Sequence, residues 1–115
     1  MTGTEDNDYC AVFVQGASRQ DVTGLVAAAL GVPADEYTVR FGDLELDIQP
    51  NPDAGLADEF VGWPLKIDVE GRRATMVDAV SRFLTAAWDA GYQAVAACDF
   101  ESELPELGGY PRYRA

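Results

Sequence analysis

The residues of this chain with the capacity for chemistry are its carboxylates. Asp99, Glu101, Glu103 and Glu106 fall within eight positions near its end. Asp99 and Glu101 share parity, so in an extended strand both side chains leave from one face. Asp68 and Glu70 are related in the same way upstream, and Asp53, Asp58 and Glu59 lie in a turn-rich stretch before them. Converging carboxylates can hold a hard cation through oxygen, or act as an acid and base pair on a glycosidic bond. The spacing here matches no calcium loop. Acidic strand ends in an acidic protein are also commonly solvated, or offered to a basic protein. The candidate protein-contact residues are Asp68, Glu70, Asp99, Glu101 and Glu103.

Other chemistries lack their residues. The chain contains no histidine, which removes Ser-His and Cys-His nucleophilic mechanisms and histidine-rich zinc sites. Cys10 and Cys98 are the only cysteines, and they form no CxxC pair. Each falls in an apolar run, where a small buried side chain packs as core, with a disulfide as the lesser alternative. There is no Walker loop and no GxGxxG, and Gly108-Gly109 stands alone in a proline-containing tail. The expectation is a non-enzyme with no catalytic, cofactor-binding or metal residue and no cofactor.

Charge narrows the partners. Twenty acidic residues face eight basic ones, for a formal charge of -12. Such a field repels nucleic acid and anionic membranes and favours a basic protein partner, besides conferring solubility. With 48% hydrophobic and 24% charged residues over 115 positions, the chain has the balance of one folded domain. Seven of the eight cations are arginine, which with abundant Ala, Gly, Val and Asp points to a GC-rich bacterial coding sequence. The acidic, polar residues 1–8 lack the pattern of a secretory signal, and no apolar run approaches a membrane span. A cytoplasmic location with reduced thiols follows.

Periodicity supplies the elements that must position these groups. Tyr9 to Val14 is a continuous apolar run, the mark of a strand covered on both faces. Ser18 is placed to cap a helix striped by Val22, Leu25, Val26, Ala29 and Leu30 and closed by Gly31. From Tyr37 to Ile48 apolar residues alternate, and their parity switches at Gly42-Asp43. A two-residue hairpin turn explains the switch and pairs Arg40 with Glu45; one strand with a bulge at Gly42 is the alternative. Trp63, Leu65, Ile67 and Val69 alternate with charges as a half-buried strand, whose start Pro64 assigns to a sheet edge. Thr75 is a candidate cap for a second helix striped by Met76, Val77, Val80, Phe83, Leu84, Ala87 and Trp88. Tyr92 to Phe100 reads as another central strand. Trp63 and Trp88 read as core. The expected organisation is a flexible lead-in at 1–8, a single α+β domain at 9–103 and an irregular tail at 104–115.

The order β-α-β-β-(β)-α-β predicts a two-layer α+β sandwich of ferredoxin-like type. Two helices would cover one face of a mainly antiparallel sheet. With Trp63-Pro64-Leu65-Lys66-Ile67-Asp68-Val69-Glu70 and Ala97-Cys98-Asp99-Phe100-Glu101 in view, the layout resembles the small, acidic, stand-alone bacterial proteins of the immunity type. That resemblance implies a protein-binding module acting by steric blockade and charge complementarity, and it assigns no role to any residue. The alternative is a ferredoxin-like small-ligand or regulatory module. Monomer and homodimer, the latter through an exposed sheet edge, are both compatible with the sequence.

Overall fold

Two helical segments with apolar stripes must each bury one side, and here both bury it against the same sheet. The computed structural model describes residues 7–113. Its elements are β1 (Asn7–Gln15), α1 (Arg19–Leu30), β2 (Ala34–Asp35), β3 (Thr38–Phe41), β4 (Leu44–Pro50), β5 (Leu65–Arg72), α2 (Arg73–Asp89) and β6 (Gln93–Ala97). Short 3-10 turns follow at Glu101–Glu103 and Pro105–Tyr113. The six strands form one antiparallel sheet in the order β2-β3-β4-β5-β1-β6. This is an α+β protein. Its strand order differs from the four-strand order of a ferredoxin-like sheet, because β2 and β3 extend it beyond β4. The lead-in expected at residues 1–8 lies outside the described residues up to residue 6, and Asn7 and Asp8 belong to β1.

Strand alternation divides the side chains between two faces. Cys10, Val12 and Val14 of β1 join Leu44, Leu46 and Ile48 of β4 and Leu65, Ile67 and Val69 of β5 on one side. They form one core with Val22, Val26 and Leu30 of α1 and Met76, Val80, Phe83 and Leu84 of α2. Each such side chain contributes about 1.5–3 kcal/mol on burial, so this core dominates the fold. The Ser18 hydroxyl accepts the Asp21 N–H at 3.0 Å, as the sequence predicts for the start of α1. Arg19 fastens that helix to the sheet: its Nε donates to the Ile48 carbonyl at 2.8 Å, and its guanidinium stacks on Tyr37.

The parity switch is a hairpin and not a bulge. Phe41 pairs with Leu44, Val39 with Leu46 and Arg40 with Glu45 across the turn at Gly42-Asp43. The same turn serves α2. Asp43 accepts the Arg72 backbone N–H at 2.7 Å and a bond from the Thr75 side chain. Those donors hold its carboxyl below the usual carboxylate range. Thr75 is therefore not the cap; α2 begins two residues earlier, directly after Arg72. Gly71 permits this approach, since a Cβ there would lie 2.5 Å from the Leu44 side chain.

Three further expectations change. β5 lies between β4 and β1, not at an edge, because Pro64 precedes its first ladder residue. Trp63 is buried, but against Phe13 and Val95 on the face away from the helices. The last strand is shorter than 92–100 and pairs only with β1, so β6 is an edge where a central strand was expected. Its Ala content suits it to lie under a second layer of chain, the tail.

That tail is ordered by packing. Leu104 joins the helix-side core, while Tyr110 and Tyr113 pack on the opposite face, so the segment wraps the outer side of β6. The Tyr113 hydroxyl accepts the otherwise unpaired Ala94 N–H at 3.1 Å. To pass the strand, the chain winds left-handed through Glu106, Leu107, Gly108 and Gly109, with φ of 50, 55, 78 and 102°. The first two residues cost roughly 1–2 kcal/mol each in that conformation, which the packing must offset. A Cβ on Gly109 would fall 2.7 Å from the Ala94 carbonyl oxygen and 2.9 Å from the Trp88 ring. In contrast, Gly24 lies in α1 with nothing within 4 Å of the corresponding position. Gly109→Ala is therefore expected to lower unfolding free energy by more than ~1 kcal/mol. Gly24→Ala should raise it by about 0.5–1 kcal/mol. Urea denaturation of the two variants checks both signs.

Candidate functional site

The helices cover one side of the sheet and leave the other to the remaining chain. On that open face β4 contributes Glu45, Asp47 and Gln49, and β5 contributes Lys66, Asp68 and Glu70, because these alternate with the core residues of each strand. The register places Glu45 opposite Glu70 and Asp47 opposite Asp68. Four carboxylates thus stand as two like-charged cross-strand pairs, an arrangement that destabilises a sheet.

Neighbouring groups relieve part of the repulsion. Arg40 lies 3.6 Å from both Glu45 and Asp35, and Lys66 lies 3.6 Å from Asp68. Thr38 donates to Asp47 at 2.7 Å, and the Tyr9 hydroxyl donates to Asp68. Burial, reinforced by that bond to a carboxylate, pushes the Tyr9 hydroxyl above its ordinary range. Glu45 is also pushed up, by hydrogen bonding to Asp47 first and by the charge of Asp47 second. Arg40 and Lys66 thus offset part of the charge of the four carboxylates.

Beyond this patch, towards β6, the face is apolar. Ala11 and Phe13 of β1 and Val95 of β6 pack beneath Phe60, Trp63, Tyr110 and Tyr113. The rings meet edge to face, Phe60 with Tyr110 at 5.2 Å and Trp63 with Tyr113 at 5.1 Å between centroids. Asn51 builds one side of this wall. Buried, it donates to the carbonyls of Val61 and Trp63 at 2.8 and 2.7 Å, which folds the loop back so that both rings reach the sheet. An open cleft of about 890 Å³ runs along the wall, bordered by Asp58, Glu59, Gln15, Gln93 and Arg112.

The carboxylates singled out in the sequence separate into distinct settings. Asp68 and Glu70 stand on the open face. Glu70 and Asp99 share the rim of a second open cavity, of about 560 Å³, with Asp8, Tyr9 and Cys98. Glu103 is exposed, and with Asp99 and the nearer Asp8 it raises the affinity of Arg73 for its proton. Glu101 turns inward and accepts the Cys98 N–H at 3.1 Å and the Tyr110 hydroxyl at 2.7 Å, so it organises the tail. Asp58 and Glu59 border the aromatic cleft. Glu45 and Asp47, the partners that complete the acidic patch, were not among the predicted contacts. Their alternation with Leu44, Leu46 and Ile48 marks them as one polar face, but only the β4–β5 register reveals what stands opposite. Among the described residues no group of three or more Cys, Asp or Glu is arranged to hold a metal, and no helix is long and apolar enough to cross a membrane. No protein-family model matches the chain, and neither a curated protein nor a solved structure matches it.

The raised Glu45 carboxyl has a defined consequence for stability. Below its ordinary pKa of 4.5 both folded and unfolded states carry the proton and there is no penalty. As pH rises from 4.5 through the raised folded value the penalty develops, and above that value it is complete. Glu45→Gln is thus expected to raise the urea midpoint at pH 7, with the gain vanishing by about pH 4. A gain equal at both pH values would show that the repulsion is not its source.

Proposed function

We propose that this protein is a non-enzymatic binding module that takes a basic protein partner on the open face of its sheet. The observation carrying this reading is the pair of like-charged cross-strand contacts, Glu45 with Glu70 and Asp47 with Asp68. They work against the sheet in isolation, and a cationic surface laid over them would convert repulsion into attraction. The aromatic wall beside them adds large, rigid apolar groups of the kind that anchor protein interfaces. Blockade of a basic toxin domain, as in immunity-type proteins, is the form of this activity that suits a small acidic chain, and a bacterial cytoplasm is its natural setting.

The same reading covers the finer architecture. Taken alone, β6-β1-β5-β4 with α1 and α2 follows the β-α-β-β-α-β path of a ferredoxin-like two-layer sandwich, with β2 and β3 as an added flap. A second reading, small-ligand binding, has the aromatic cleft in its favour. Dimerisation through a sheet edge has less support, because the tail lies along β6 and β2 is only two residues long.

The test compares two variants of equal net charge in capture experiments from native lysate at low ionic strength. One carries Glu45→Gln, Asp47→Asn, Asp68→Asn and Glu70→Gln. The control carries Glu36→Gln, Asp53→Asn, Asp78→Asn and Asp89→Asn, all outside β4 and β5. A basic protein retained by the natural chain and the control, released by salt and lost from the face variant is the expected result. Equal loss from both variants would reduce the binding to nonspecific charge and overturn the proposal.

A further inference from the structure

Cys10 and Cys98, remote in sequence, meet across the β1–β6 ladder. The register sets Ala11 opposite Ala97 and Val12 opposite Ala96. Cys10 and Cys98 directly flank the Ala11–Ala97 pair, and each thiol stands near enough to shift the titration of the other, while the Cys10 Sγ also lies 4.0 Å from the Ala11 carbonyl. The direction of the β6 backbone defines the pair. The Ala94 N–H leaves outward to Tyr113, the Ala94 carbonyl accepts outward from Trp88 at 3.1 Å, and the Cys98 N–H leaves to Glu101. Ala94 and Ala96 therefore occupy non-hydrogen-bonded positions opposite β1, and Cys98 follows them in the same parity just past the strand. There Cα atoms approach to about 4.5 Å and side chains are closest. That spacing falls inside the ~4.4–6.8 Å a disulfide requires.

The two thiols are not equivalent. Cys10 is fully buried, whereas Cys98 is half-buried and borders the open cavity with Asp8, Tyr9, Glu70 and Asp99. Donation from Cys10 holds the Cys98 thiol below its ordinary range, outweighing burial and the nearby carboxylates. The same bond, with burial, pushes Cys10 up. Cys98 is the nucleophile of the pair.

We propose that Cys98 is an oxidation site for a small uncharged hydroperoxide, and that Cys10 resolves the product into an intramolecular disulfide. The Asp8, Glu70 and Asp99 carboxylates around the opening select the oxidant class, because they repel anionic disulfides such as oxidised glutathione. The Cys98 sulfur attacks one peroxide oxygen and the O–O bond breaks. The leaving oxygen departs with the thiol proton as water, or as an alcohol from an alkyl peroxide, and Cys98 becomes a sulfenic acid. The Cys10 sulfur then attacks the Cys98 sulfur; the S–O bond breaks, and its hydroxyl leaves as water with the Cys10 proton. Two thiols are oxidised to one disulfide and one peroxide is reduced. The bond joins β1 to the chain just past β6.

Intact-mass analysis and peptide mapping of the full chain after hydrogen peroxide treatment provide the test. The expected result is loss of two hydrogens, a Cys10–Cys98 linked peptide, loss of both alkylatable thiols and a higher melting temperature, all reversed by dithiothreitol. Cys10→Ser should instead trap one added oxygen on Cys98, detectable with a sulfenic-acid-directed dione. Oxidation of Cys98 to sulfinic acid with Cys10 still a thiol, a Cys98-linked dimer, or no reaction at doses that oxidise a free thiol would each overturn the proposal. Because the natural chain carries these outcomes, failure of the variant to fold would not rescue it.

Discussion

β1 is buried on both sides, and the rest of the molecule is arranged to make that tenable. Cys10, Val12 and Val14 demand one apolar cover, and Ala11 and Phe13 demand another. The helices supply the first. The second comes from segments without regular structure, the loop around Phe60 and Trp63 and the final turns bearing Tyr110 and Tyr113. Only the β1–β6 half of the sheet acquires this second cover. Among the described residues no apolar cluster covers the β4–β5 half, and polar residues alternate there instead.

The acidic patch follows from that asymmetry. A charged residue tolerates a strand position only where its side chain reaches water, so uncovered strands collect charge. Charge sign is not dictated by this argument. A solvated face could have alternated Lys with Glu across β4 and β5 and gained stability. Here Glu45 and Glu70, and Asp47 and Asp68, repel each other, and Arg40 and Lys66 compensate in part. The proposed basic partner would turn that repulsion into attraction.

Both lateral edges of the sheet are also managed. At one end β2 is two residues long and bears Asp35, an edge too short and charged to template another strand. At the other, the left-handed passage through Gly108 and Gly109 lets the backbone lie against β6, and Tyr113 satisfies an outward N–H. This cover also fixes the environment of Cys98, since Glu101 bonds its N–H on one side and Tyr110 on the other. The tail is thus edge protection, aromatic wall and thiol support together.

Local physics was legible in the residues alone. The Ser18 cap, the stripe of α1, the hairpin at Gly42-Asp43 and the exposed parity of Asp68 and Glu70 each depend on neighbours within a few positions. What the sequence could not disclose involves groups brought together from far apart. The bond from the Arg72 N–H to Asp43 across 29 positions, the like-charged partners of Asp68 and Glu70, the placement of Trp63 on the far face and the proximity of Cys10 to Cys98 all depend on which strands become neighbours. Periodicity determines which face a residue takes within its own strand, but the partner opposite is set by packing the whole chain. For this protein, composition established an acidic surface, and the tertiary fold decided where that charge would be left uncovered.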